Sequence, residues 1–76
     1  MDERLSFSVE LHEEMLEGKK VFVAECIELG VSDFGDNIDE ALTHLKEGIN
    51  LLLEEHPEKR EILRREEPIL MTRLVL

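Results

Sequence analysis

The side chains in this chain best suited to catalysis or metal binding are one thiol, three imidazoles and a group of carboxylates. Cys26 is the lone cysteine. A nucleophilic cysteine needs a neighbouring base and a lowered pKa, and no readable pattern brings His12, His44 or His56 to it. Free cysteine is among the most internal residue types, so a buried structural thiol is expected. The three histidines lack metal-ligand spacing, and a single cysteine leaves no zinc-type ligand pairs. Both features point to solvated imidazoles, with His56 at a helix end where a cation is mildly favoured. Nucleases that cut with two metals need clustered carboxylates. Here the first strand offers only Glu10 on its polar face, and Asp36 and Asp39, though close to Asp33, are accounted for by the start of a helix. A solvated acidic face is expected in place of a metal site. No cofactor and no enzymatic activity are expected.

The elements that must carry these side chains follow from hydrophobic rhythm. "RLSFSVEL", residues 4–11, alternates with Leu5, Phe7, Val9 and Leu11 on one face, the period-two pattern of a half-buried strand. Residues 12–19 read as a polar connection ending in the turn glycine Gly18. "KVFVAEC" resumes extended structure, with Val21 and Val23 opposite Phe22, Ala24 and Cys26. A short third strand, "VSDF", lies between Gly30 and Gly35, both expected to supply unusual backbone angles. Three strands in immediate succession predict an antiparallel meander.

Asn37 followed by Glu40 then reads as a helix N-cap with its capping-box partner. Asp36, Asp39 and Glu40 favour the positive end of the helix dipole. Ile38, Ala41, Leu42, Leu45, Ile49 and Leu52 form one apolar stripe, with Leu51 nearly opposite. Pro57 cannot continue the helical ladder, so the helix is predicted to stop near His56. Pro57 can open a short second helix, "PEKREILRREE", read as a loosely packed connector closed by Pro68. "ILMTRLVL" reads as a final strand, with Ile69, Met71 and Val75 facing one way and Leu70, Leu74 and Leu76 the other. Apolar on both faces, it should be covered on both.

Seventy-six residues make one domain, 1–76, divided into a ββ-β-α body (1–56) and a connector helix with C-terminal strand (57–76). The fold class is α+β, in the order β-β-β-α-α-β. So short a chain buries only about 60% of its unfolded surface, which makes self-association a natural stabiliser. A homodimer or higher homo-oligomer is expected, with Leu51, Ile69, Met71, Leu74 and Val75 as candidate contacts. The net charge is −10. It is also uneven: residues 1–56 hold fifteen acids and four bases, whereas residues 57–76 hold four acids and five bases. Such a surface repels nucleic-acid phosphates and suits a basic protein partner. The lone thiol and the absence of a signal or membrane-spanning run fit a cytoplasmic setting.

The stretch "FVAECIELGVSDFGDNIDEALTHLKEGINLLLEE", residues 22–55, strongly resembles the HicB-like antitoxin domain. That family shows an aromatic-x-Ala-x-Cys-Pro-Glu-Leu segment, then Gly, a short strand, and Gly-x-Thr-x-x-Glu-Ala opening a helix. Phe22, Ala24, Cys26, Glu28, Leu29, Gly30, Gly35, Glu40 and Ala41 match without gaps. Ile27 stands where the family usually has proline, and Asn37 where it has threonine, an equivalent helix cap. The resemblance covers residues 5–55. It implies a truncated ribonuclease H-like fold and neutralisation of a HicA-like toxin, a small basic mRNA-cleaving protein. Many relatives of that type carry a further DNA-binding domain, for which the residues after Pro57 are too few, so direct nucleic-acid binding is not expected.

The combined expectation is an antitoxin-type inhibitor that occludes a HicA-like toxin, with Glu25, Glu28, Asp33 and Asp36, flanking the short third strand, as candidate toxin contacts. Two other readings belong to different classes: an orphan regulatory or ligand-binding module of the same fold, and a residual metal-dependent nuclease.

Overall fold

The computed structural model describes residues 5–64. It is α+β. Strands β1 (Val9–Leu16), β2 (Lys19–Cys26) and β3 (Val31–Gly35) form an antiparallel sheet in the order β1-β2-β3, followed by α1 (Ile38–Glu55), a 3₁₀ turn (Pro57–Lys59) and the single-turn α2 (Arg60–Leu63).

The first strand begins five residues later than its alternation predicts and absorbs most of the expected connection. The turn decides this. Glu17 and Gly18 both have positive φ, 51° and 78°, the pairing that a two-residue hairpin with matching strand twist requires. That turn sets Leu16 opposite Lys19 and carries the register back to Val9 opposite Cys26. That ladder holds residues 12–16 extended, although all five are exposed and present no face to the core. Glu13 and Lys20 add an ion pair at 3.1 Å. Leu5, Phe7 and Val9 pack against the core as expected, but Leu11 is left exposed. Residues 5–8 instead run beside other elements: the Ser6 amide donates to the Leu63 carbonyl (3.0 Å), and Ser8 accepts from the Ile27 amide (3.1 Å).

One face of the sheet carries the core. Ala24 and Cys26 meet Ala41, Leu45, Ile49, Leu53 and Leu63, with Phe22, Leu29, Val31 and Leu42 packed around them. The helical stripe is therefore 41, 45, 49 and 53. Leu53 replaces Leu52 as its last fully buried member, and Ile38, counted in the stripe by spacing, is exposed. Leu63 is a second correction: only 1% exposed, it is a core residue, and the segment carrying it is no loose connector.

Both ends of α1 fall where the sequence places them. The Asn37 side chain accepts from the Glu40 amide at 2.8 Å, and His56 is the C-cap just before Pro57. The two glycines that frame β3 act differently. Gly30 has φ 67°, the left-handed region that glycine adopts at least cost. Gly35 does not. A Cβ there would sit 2.5 Å from the Ala41 backbone nitrogen, so its smallness lets the first turn of α1 close onto the end of β3. The predicted final strand, with Ile69, Met71, Leu74 and Val75, lies outside the described residues.

Candidate functional site

Because α1 starts so close to the end of β3, its next three turns run along that strand's outer edge. Glu40, His44, Glu47 and Leu51 recur at helical spacing and share one side of α1. With Asp33, Phe34, Gly35, Asp36 and Gly48 they line a groove of about 360 Å³. Among the described residues, no lysine or arginine lines it.

Among the described residues β3 is an edge strand, and its backbone is closed to further pairing at Phe34. The Phe34 amide donates to the Asp33 carboxylate at 2.8 Å. The Phe34 carbonyl accepts from His44 Nδ1, also at 2.8 Å. An unpaired strand edge invites another strand, and side chains that occupy its donors and acceptors remove the invitation. The bond to the Phe34 carbonyl also raises the His44 pKa above its ordinary value, with Asp33, Glu40 and Glu47 adding to the effect. Phe34 and Leu51 remain 52% and 61% exposed, so the groove combines apolar surface with carboxylates.

The acidic residues singled out by sequence do not all converge. Asp33 and Asp36 enter the groove; Asp36 also pairs with Lys19 at 2.8 Å. Glu28 lies in the turn after β2, where its two carboxylate oxygens accept from the Ser8 amide at 2.9 and 3.0 Å, tying the N-terminal segment to that turn. Glu25 stands on the opposite face of the sheet from Ala24 and Cys26, opposite Glu10 and Ser32 in register. Leu51 sits in the groove. His44 and Glu47 were not singled out as site residues by sequence, although the 40-44-47-51 spacing already placed them on one side of the helix.

Cys26 is fully buried, and burial pushes its thiol pKa up, the reverse of what a nucleophile needs. Among the described residues no group of three or more His, Cys, Asp or Glu is placed to hold a metal ion. No helix among them is long and apolar enough to cross a membrane. No protein-family model, curated protein or solved structure matches the chain.

Proposed function

We propose that this chain is an antitoxin-type inhibitor of the HicB-like kind, which binds a small basic HicA-like ribonuclease and covers its active site. The observation that carries the reading is the gap-free fit of residues 22–55 to that family's pattern. The structural duties of the matched residues support it. Ala24, Cys26 and Ala41 are fully buried where the helix meets the sheet. Gly30 takes the left-handed turn, and Gly35 allows the close approach of α1. Glu28 anchors the N-terminal segment. These are the positions at which a β-β-β-α order would depend on residue type.

The charge of −10 supports a basic partner and steers its approach. The finer parts of the reading are a truncated ribonuclease H-like fold, a cytoplasmic location, and a homodimer or higher homo-oligomer built through residues 68–76. Truncation after Glu67 followed by light scattering tests the oligomer. A folded monomer supports the tail contact, and a persistent dimer rules it out.

The functional reading is tested by co-expressing the full chain with a basic ribonuclease encoded beside its gene. Co-purification of the two proteins, with rescue of growth and of cellular mRNA, is the expected result. Separate elution with continued mRNA loss would refute it.

A further inference from the structure

We propose that the β3–α1 groove is a docking site for a basic segment of a protein partner, which inserts a lysine or arginine side chain instead of adding a strand to the sheet. Three observations lead there. First, Phe34 and Leu51 are large apolar residues left open to solvent in the same concavity. Long basic side chains lay their aliphatic stems on such surface and keep their charged heads in polar surroundings.

Second, the heads have somewhere to go. Glu40 and Glu47 line the groove with no side-chain hydrogen bond or ion pair among the described residues, and no lysine or arginine lines it. Opposite charge would complete the groove. Third, strand addition is blocked at Phe34. Its amide and carbonyl are taken by Asp33 and His44 at 2.8 Å each, so the backbone ladder that drives β-augmentation is interrupted there. At that position a partner meets side chains and not an open backbone ladder.

As a statement about how a toxin is held, the inference rests on the inhibitor reading above. As a statement about what the groove binds, it stands alone. The full chain, labelled with ¹⁵N, is titrated with an acetylated, amidated Gly-Arg-Gly-Arg-Gly peptide and with its citrulline counterpart, which keeps the shape and loses the charge. Saturating amide shifts centred on Phe34, Gly48 and Leu51 are expected with the arginine peptide and none with the citrulline one. The exposed substitutions E47Q and L51S should each weaken binding about fivefold, the scale of one solvent-exposed charge or apolar contact. The distant charge removal E10Q should leave it unchanged. Shifts spread along β1, or equal weakening by E10Q and E47Q, would overturn the proposal in favour of diffuse attraction. Shifts at the groove that grow with protein concentration before peptide is added would overturn it in favour of a second copy.

The same variants separate the two readings. If E47Q and L51S lose the peptide yet block a basic ribonuclease as well as the parent does, the groove is not the toxin contact and the inhibitor reading survives. If the peptide binds as expected and no ribonuclease is blocked, the groove assignment survives and the inhibitor reading fails.

Discussion

Asn37 accepts the amide of Glu40 and so satisfies one of the donors that the first turn of α1 leaves open. Replacing it with alanine is expected to cost about 1 kcal/mol in urea unfolding, whereas threonine should be nearly neutral. This cap was legible because its chemistry is local: an Asn, then Glu three residues on, ahead of an apolar stripe. Gly35 was legible as a special position but not for its cause. A glycine in sequence announces either an unusual backbone angle or a close approach, and only the packing of Ala41 against it distinguishes them. His44 was read as a solvated imidazole off the stripe. Its bond to the Phe34 carbonyl joins residues ten apart and depends on how α1 lies on β3. That bond, and the carboxylates of Asp33, Glu40 and Glu47, raise the pKa above 6.5. Stability from the charged form is therefore present in full below the unfolded value and lost as pH rises through the folded one. The urea midpoint of the parent should exceed that of H44Q most at about pH 5.5, and the gap should narrow by about pH 8.5. A gap independent of pH would show that protonation of His44 does not contribute.

At the level of elements, the β1–β2 hairpin holds the largest departure from expectation. Apolar alternation placed the first strand at residues 4–11, because Leu5, Phe7, Val9 and Leu11 present a face that seeks a core. The first three do pack there. The strand itself is dictated from the other end, by a tight turn whose first residue, Glu17, is poorly suited to φ 51°. Neither asparagine nor aspartate precedes Gly18 to flag the turn. Asparagine tolerates that conformation better than glutamate. Glu17→Asn is thus expected to stabilise the fold by roughly 0.5 to 1 kcal/mol, seen as a raised urea midpoint with an unchanged m-value. The helix was easier to read. Its apolar period, its cap and Pro57 are all encoded within its own residues, and its bounds follow. Which of Leu51, Leu52 and Leu53 is buried was harder, because three adjacent leucines leave the phase of the stripe open at its last turn. Packing against the rest of the core settled it on Leu53. Leu63 had no periodicity to reveal it; its burial follows from the chain turning back at Pro57.

For the molecule as a whole, the charge of −10 was evident from composition, while the groove that organises part of it was not. Residues from β3 and from four turns of α1 become neighbours only once the helix has docked. If steering by this charge matters, association with a basic ribonuclease should slow steeply as salt rises, since exposed charges are screened beyond about 8 Å at physiological ionic strength. Stopped-flow rates that stay flat across salt would remove steering from the account. The central claim is inhibition itself, and it is tested most directly by titrating the full chain into a HicA-like ribonuclease while following cleavage of a fluorescent RNA. Cleavage is predicted to fall to zero at a fixed ratio of the two proteins and to stay there. Cleavage that continues undiminished in large excess of this chain would contradict it.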